Sequence, residues 1–194
     1  MKFSVLMAVY YEDDPNSFSE ALKSINQQTI SASEIILVVD GKIGNDLDEI
    51  INKFSSRMNL NVIRLVENLG LPGALNEGVK HIKTEWTFRF DSDDLNMVDR
   101  FEKQIRFIET NRVDVLGGQI EEFDDNGIIG RRDVPLSHSE MLKRLHFRNP
   151  LNHVTVAVKT DLLIKFGYRD VQFFEDYDLW YRLFYEKDLI VRNM

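Results

Sequence analysis

Three carboxylates within four residues are the first candidates for chemistry in this sequence. Asp91, Asp93 and Asp94 follow the apolar run at 86–90, with only Ser92 between them. Carboxylates packed this closely repel each other, and a hard divalent cation such as Mg²⁺ or Mn²⁺, which takes oxygen ligands, would offset the repulsion. The spacing therefore predicts a metal site, and the alternative is a solvated acidic turn that caps the next helix.

A second candidate is Asp176, which lies beside Glu175 among the aromatic residues of the segment 173–180. An apolar environment raises the pKa of a carboxyl group and suits it to proton transfer, so Asp176 is a candidate general base. An acid at the start of a helix is also a common cap, because the helix dipole stabilises it. The residue types alone favour the cap over the base.

Polar residues also follow two other apolar runs, at 10–13 and at Asp40, and glycines mark the segment 67–76. In an open α/β sheet, ligands bind beyond the carboxyl ends of the strands, where these residues are expected. Asp40 has a helix cap as its alternative role. The glycines would let the backbone approach a phosphate, although the segment lacks the ending of a P-loop and the spacing of a dinucleotide-binding motif.

The elements that would position these residues alternate along the chain. Strands are predicted at 3–10, 35–39, 60–66 and 86–90, and helices at 18–28, 47–54, 72–82 and 101–108. This alternation predicts an α/β fold with a mostly parallel central sheet and helices on both faces. The second half is less regular, with strands predicted at 113–123, 128–134 and 154–158, a turn at 124–127, helices at 139–145 and 176–185, and a final apolar run at 189–191 with no closing element.

Length and composition exclude several classes of protein. The 194 residues, 43% of them apolar, are enough for one packed domain over 1–194. A net charge of -8 disfavours nucleic acid as a partner, and the absence of cysteine excludes disulfides, thiolate zinc sites and cysteine nucleophiles. The first nine residues are too short an apolar run for a signal peptide, and acids follow them. No apolar stretch approaches the roughly 20 residues of a membrane span, so we expect a cytoplasmic protein.

Taken together, these segments resemble the family 2 glycosyltransferases, which have the Rossmann-like GT-A fold. The matching motifs are the first strand and loop at 4–11, the first helix at 21–29, the Asn-x-Gly and Ala-x-Asn-x-Gly pattern at 68–70 and 74–78, the Asp-x-Asp motif at 89–94, the Asn-His-x-Thr segment of a bacterial polysaccharide subset at 152–155, and the Glu-Asp motif at 175–180. The resemblance covers nearly the whole chain. It implies a half that binds the nucleotide sugar at 1–110 and a half that binds the acceptor at 111–194.

The resemblance also implies a role for each matching residue. Asp176 is the implied base, Asp93 and Asp94 the ligands of Mg²⁺ or Mn²⁺, and Glu175 and Trp180 residues of the acceptor side. The implied donor-binding residues are Val9, Tyr10, Glu12, Asp40, Asn68, Gly70, Asn76, Arg89, Asp91, Ser92 and His153. Among these, Asp40 is expected near the nucleotide base and Asp91 at the ribose. The alternative role of Arg89 is an ion pair with a structural acid. The alternative role of His153 is a structural one.

The expected function is the transfer of a single sugar, with inversion, from a nucleoside-diphosphate sugar to a hydroxyl of a saccharide or lipid-linked saccharide acceptor in bacterial surface polysaccharide synthesis. We expect UDP as the nucleotide, although 39–42 carries one acid where the family often has two. The chain lacks the Gln-x-x-Arg-Trp motif of processive synthases. The missing closing element suggests a truncated chain, and peripheral contact with the inner face of the membrane would need residues beyond Met194.

Three other classes are alternatives. A nucleotidyltransferase would be expected to carry a glycine-rich and basic loop after the first strand, where this chain has the residues 10–13. A phosphatase of the haloacid dehalogenase type needs its nucleophilic aspartate after an early strand. The third alternative is a binding module for nucleotide sugars or glycans that has kept the fold and lost the activity.

Overall fold

The computed structural model describes residues 1–124 and 126–194, and it contains a large central sheet and a separate hairpin. The strands are β1 (Phe3–Val9), β2 (Glu34–Val39), β3 (Leu60–Arg64), β4 (Trp86–Arg89), β5 (Val115–Gly117), β6 (Ile120–Asp124), β7 (Gly127–Arg132), β8 (Ala157–Lys159) and β9 (Val191–Asn193). The helices are α1 (Pro15–Asn26), α2 (Asn45–Ser55), α3 (Gly70–Val79), α4 (Arg100–Thr110), α5 (His138–Arg144), α6 (Thr160–Phe166) and α7 (Glu175–Phe184).

The central sheet has the strand order β3-β2-β1-β4-β8-β5-β9. Strands β1 to β4 run parallel, β8 is antiparallel to both of its neighbours, and β9 is parallel to β5. The mostly parallel sheet predicted from the alternating elements is therefore confirmed. Because β1 to β4 are parallel, their carboxyl ends meet at one edge, and the polar residues that follow them are brought together there.

Helices cover both faces of this sheet, as predicted. Successive side chains of a strand point to opposite faces, so Val5 packs with one hydrophobic cluster and Leu6 with the other. The first cluster includes residues of α1, α2 and α4, and the second includes residues of α3, α5, α6 and α7. Gly78 lets α3 approach the sheet closely, because a Cβ there would lie 2.5 Å from Leu6 Cδ1. None of the described helices is long and apolar enough to cross a membrane.

The predicted elements of the first half agree with the structure to within a few residues, and two predictions in the second half need correction. The strand predicted at 113–123 divides into β5 of the central sheet and β6, which pairs with β7 in the hairpin. Glycines 117 and 118 lie at the break, and the N–H of Gly118 donates to Thr155 Oγ1 at 2.8 Å. The strand predicted at 154–158 begins instead as a 3-10 turn, His153–Thr155.

Two elements were not predicted. Helix α6 is seven residues long, and β9 is three residues long, so each is too short for its hydrophobic pattern to repeat recognisably. Strand β9 pairs in parallel with β5 and forms one edge of the sheet, at the apolar run that the sequence analysis left without an assigned element. The turn predicted at 124–127 includes Asp125, which lies outside the described residues.

Candidate active site

A cavity of about 600 Å³ opens at the carboxyl ends of β1, β2 and β4. This is the edge at which the fold class places ligands. The predicted site residues that line it are Val9, Tyr10, Asp40, Asn68, Gly70, Arg89, Asp91, Ser92 and Asp93. Residues far apart in the sequence are thus assembled around one space large enough for a nucleotide-sized ligand.

The loops that follow β2 and β3 form one hydrogen-bonded unit in the cavity wall. Asp40 is 3% exposed, and its Oδ1 accepts the N–H of Leu69 at 2.7 Å, directly before α3. Asn68 Nδ2 donates to the carbonyl oxygen of Asp40 at 3.3 Å, and Asn68 Oδ1 accepts the N–H of Gly70 at 3.0 Å. Burial raises the pKa of Asp40, and the N–H groups oppose that shift. The carboxylate thus contacts the backbone directly before α3 without being the N-cap residue of a helix, and Asp40 also lines the cavity.

Arg89 is buried between the sheet and the acidic residues. It is 2% exposed, and its guanidinium donates to the carbonyl oxygens of Leu6 and Phe90. It also forms an ion pair with Asp91. The pairing that was the alternative role of Arg89 is therefore present, and both partners face the cavity.

Asp13 lies with the acidic residues of the cavity, although the sequence predicted its neighbour Glu12 as the donor-binding acid. The carboxylate of Asp13 accepts the N–H of Tyr10 at 2.9 Å, and Asp13 lines the cavity. Burial raises its pKa, with contributions from the charges of Asp93 and Asp91. Glu12 does not line the cavity. Its carboxylate is exposed and accepts the hydroxyl protons of Tyr10 and Tyr11.

The acidic residues fit a divalent cation in chemistry, although they are not pre-assembled as a site. No three acidic or histidine side chains of residues 1–124 and 126–194 converge as metal ligands. Burial, followed by the charges of Asp91 and Asp93, raises the pKa of Asp94 to about 6. This mutual repulsion among oxygen ligands is what a hard cation would relieve. Asp93, which is exposed, and Asp94 are the residues that would hold it.

Asp176 lies in the first turn of α7. Its Oδ2 accepts a hydrogen bond from Asn149 Nδ2 at 2.6 Å, and its Oδ1 accepts the N–H of Tyr177 at 2.6 Å. Burial raises the pKa of Asp176, and these two hydrogen bonds counter the shift. A partly buried carboxylate with a raised pKa is suited to accept a proton. The N-cap of α7 is Phe174, so Asp176 is not the cap that its residue type suggested, although its charge in the first turn suits the helix dipole.

Tyr168 is buried beside His153, and the charges of both groups of carboxylates act on it. Burial raises its pKa, the positive charge of Arg89 opposes this, and the negative charges of Asp176 and Asp91 add to it. Contacts connect the two sites through His153, which lies 3.0 Å from the Tyr168 hydroxyl and packs against the ring of Trp180 in α7. On the cavity side, the N–H of Arg89 donates to the carbonyl oxygen of Val156, directly after the His153 turn, at 2.7 Å.

Three residues predicted to bind ligands instead support Tyr168 or the core around it. Asn76 donates to and accepts from the backbone of Tyr168, both at 2.8 Å. His153 Nε2 lies 3.0 Å from the Tyr168 hydroxyl, and burial, with the charge of Arg89, lowers the pKa of His153 to about 3. Trp180 is 1% exposed and packs against the ring of His153. In this structure Trp180 is too buried to contact an acceptor. The contacts of His153 are those expected if its role is structural.

The comparisons with known proteins agree with this site. Residues 4–170 match the family model described as Glycosyl transferase family 2. The chain is 43% identical over 187 residues to an uncharacterized glycosyltransferase of Haemophilus influenzae, covering 94% of this chain and 69% of that protein. It is 39% identical over 185 residues to the UDP-Gal:alpha-D-GlcNAc-diphosphoundecaprenol beta-1,3-galactosyltransferase of Escherichia coli, covering 92% of this chain and 66% of that protein.

The chain therefore belongs to glycosyltransferase family 2, as its motifs predict, and it spans about two thirds of the length of these relatives. Membership of this family argues against the nucleotidyltransferase and phosphatase alternatives.

Solved structures show the same fold. S. aureus TarS 1-349 in complex with UDP-GlcNAc superposes with a TM-score of 0.73 at 23% identity, covering 100% of this chain and 56% of that chain. The mannosyltransferase PcManGT from Pyrobaculum calidifontis, in complex with GDP-Man and Mn2+, superposes with a TM-score of 0.74 at 15% identity, covering 100% of this chain and 54% of that chain. The chain has the GT-A fold.

Proposed function

We propose that this protein is an inverting glycosyltransferase that moves one sugar from a UDP-sugar to a hydroxyl of a saccharide acceptor. The observation that carries the proposal is the arrangement of two sets of carboxylates. Asp91 and Asp93 line a nucleotide-sized cavity, and the helix that carries Asp176 packs through Trp180 against His153, in the turn whose next residue accepts the N–H of Arg89 in the cavity wall. A transfer between a phosphate-bearing donor and a hydroxyl needs these two sites side by side.

On the donor side, the chain's own groups bind and orient the nucleotide. Asp40 and Asn68 form the wall expected to contact the nucleotide base, while Arg89 fixes Asp91 through their ion pair. A Mg²⁺ or Mn²⁺ ion held by Asp93 and Asp94 would supply Lewis-acid stabilisation of the diphosphate. The donor would then lie with its anomeric carbon towards Asp176.

On the acceptor side, Asp176 takes the proton of the attacking hydroxyl. The acceptor oxygen forms its bond to the anomeric carbon from the face opposite the diphosphate. The bond between that carbon and the diphosphate oxygen breaks, and the electron pair leaves with the diphosphate. One displacement with one carboxylate base inverts the anomeric configuration. We assign Glu175, next to Asp176 in the first turn of α7, to the acceptor side.

The E. coli relative supports a more specific donor and acceptor. Its name describes a UDP-galactose donor and a GlcNAc-diphosphoundecaprenol acceptor. We therefore favour a UDP-sugar and a lipid-linked saccharide in polysaccharide synthesis. The reaction would take place in the cytoplasm at the inner face of the membrane, where such an acceptor is presented.

The test is turnover with a panel of UDP-sugars and a GlcNAc diphosphate that carries a short alkyl tail, in Mn²⁺. We expect product whose new glycosidic bond has the opposite anomeric configuration to the donor, read by NMR coupling constants. Asp176→Asn should lower kcat by about 10²–10⁴-fold, the usual contribution of a general base, and leave UDP binding unchanged. Asp161→Asn is the matched control, since Asp161 is an exposed acid in the first turn of α6.

Retention of configuration, or near-normal turnover by Asp176→Asn, would refute the mechanism. UDP binding by the unmodified protein without turnover of any donor would favour the inactive binding module.

A further inference from the structure

Asn149 makes the one side-chain hydrogen bond that the described residues give to the carboxylate of Asp176. It lies half-buried in the loop between α5 and the 3-10 turn. Its Nδ2 is 2.6 Å from Asp176 Oδ2, and its Oδ1 accepts the N–H of Leu151 at 3.2 Å. Because a backbone N–H can only donate, this second contact fixes which end of the amide faces Asp176. The amide must present its NH₂ group to the carboxylate.

The loop that carries Asn149 is held on both sides. Before it, the hydroxyl of Tyr177 donates to the carbonyl oxygen of Leu145, which ties the end of α5 to α7. After it, the carbonyl oxygen of Pro150 accepts a hydrogen bond from Asn193 Nδ2 at 3.0 Å. Asn149 is therefore presented to Asp176 by a fixed segment of backbone, which is how a positioning group is supported.

We infer that Asn149 is a positioning residue for Asp176: it orients the carboxylate and favours the ionised form that accepts the acceptor's proton. This inference rests on the proposed function, in which Asp176 is the base. An amide donor stabilises a carboxylate without adding charge, so it offsets the cost of burial and keeps the base competent near neutral pH.

The charged groups around Asp176 explain why the hydrogen bond from the Asn149 amide matters. Glu175, adjacent in the chain, raises the pKa of Asp176 by like charge. Tyr168, from the loop before α7, has its own pKa raised by the charge on Asp176. Arg169 and Arg182 pair with Asp178. The hydrogen bond from Asn149 is thus the side-chain contact that counters burial and Glu175.

The test measures the pKa of the Asp176 carboxyl group by NMR titration of its ¹³C resonance in the whole chain, alongside the pH profile of kcat/KM. Asn149→Ala should raise the pKa, and the acidic limb of the profile with it, by about one unit, because a hydrogen bond to a charged group is lost. We expect kcat to fall by about tenfold while KM for the UDP-sugar is unchanged.

Asn149→Asp is the second variant, because it has nearly the same shape and still accepts from Leu151 but places a carboxylate beside Asp176. It should raise the pKa further than Asn149→Ala, since two adjacent carboxylates disfavour the second ionisation. Asn59→Ala is the control. Its amide donates to the carbonyl oxygen of Ser33 at 2.6 Å, far from α7 in the chain, so its loss should leave the pKa unchanged.

An unchanged Asp176 pKa in both Asn149 variants would overturn the inference, even if stability or activity fell. The base assignment fails separately: Asp176→Asn with near-normal turnover would refute the proposed function, whatever the pKa of Asp176 does.

Discussion

At the scale of single residues, like charge and burial act together in this site. Burial alone would raise the pKa of Asp94, and the neighbouring charges of Asp91 and Asp93 raise it further, to about 6. In contrast, Asp176 lies next to an amide donor that opposes its shift. An added cation would stabilise the ionised carboxylate of Asp94. The ionised carboxylate of Asp176 is already stabilised by the hydrogen bond from Asn149. The surroundings of the two aspartates therefore differ in the way that the two proposed roles require.

Asp93 is the exposed residue among the three acids that follow β4, and its replacement tests the metal site. Asp93→Ala should weaken UDP binding in Mn²⁺ by about tenfold or more, because loss of a direct ligand exceeds the effect of losing an outer-shell partner. Isothermal titration with UDP, in Mn²⁺ and in EDTA, measures the effect. Asp46→Ala, an exposed acid in α2, is the control. Equal weakening in Mn²⁺ and in EDTA would remove Asp93 from the metal site.

The partly buried His153 gives the stability of the protein a predicted dependence on pH. Its pKa is about 3 in the folded protein, well below the ordinary value of 6.5. Between these values the unfolded chain binds one more proton, so the free energy of unfolding falls as the pH drops below 6.5. In His153→Gln this contribution is absent. We expect the variant to lose about 1–2 kcal/mol less stability than the unmodified protein between pH 7 and pH 5.

Urea denaturation of both proteins at the two pH values gives this difference. Glutamine keeps an amide for the Tyr168 hydroxyl, so the comparison isolates the titration. Parallel losses of stability in the two proteins would show that His153 accepts its proton in the folded state.

At the scale of elements, the site depends on how closely two loops approach. Gly41, after β2, has φ +83°, and a Cβ there would lie 2.8 Å from the backbone nitrogen of Asn68. Only glycine accommodates both the positive φ and the close approach of the Asn68 backbone. This contact holds Asp40 and the start of α3 together, so the cavity wall is built by backbone packing as much as by side chains.

Gly41→Ala should therefore destabilise the fold by about 1–3 kcal/mol, through a left-handed backbone conformation and a steric clash, and should also weaken UDP binding. Gly44→Ala is the matched control, because Gly44 has negative φ and nothing lies within 4 Å of its added Cβ. Denaturation and UDP titration of both variants provide the measurement. If the two alanines behave alike, the approach of the loops does not depend on Gly41.

At the scale of the whole molecule, the last strand holds the irregular second half in place. Asn193 in β9 is 3% exposed, and its Nδ2 donates to the carbonyl oxygens of Pro135 and Pro150 at 2.6 and 3.0 Å. These prolines lie in two different loops, and the second is adjacent to Asn149. Strand β9, at the edge of the sheet, is thus connected to the loop that carries Asn149.

Asn193→Ala should cost about 1–3 kcal/mol in the free energy of unfolding, because it leaves two carbonyl groups without their donor. Arg192→Ala, an exposed position in the same strand, should cost less than about 0.5 kcal/mol. Urea denaturation compares the two variants. Similar losses would mean that strand pairing, and not the Asn193 amide, holds the loops.

The sequence by itself determined the alternating elements of the first half and the carboxylates that follow its strands. These features depend on hydrophobic period and on residue type, which are local. It did not determine that Asp13, and not Glu12, faces the cavity, because the direction of a side chain in a loop is set by the turn. Short elements such as α6 and β9 carry too little pattern to be recognised.

Only the tertiary structure decided which predicted residues meet. Asn76, His153 and Trp180 match motif positions, yet their hydrogen bonds and burial connect them to Tyr168 and the core. Asn149 has no motif of its own in our prediction, and it became a candidate only because the fold brings it 2.6 Å from Asp176, 27 positions further along the chain. Contacts between distant residues are fixed by packing, which a linear pattern of residue types does not specify.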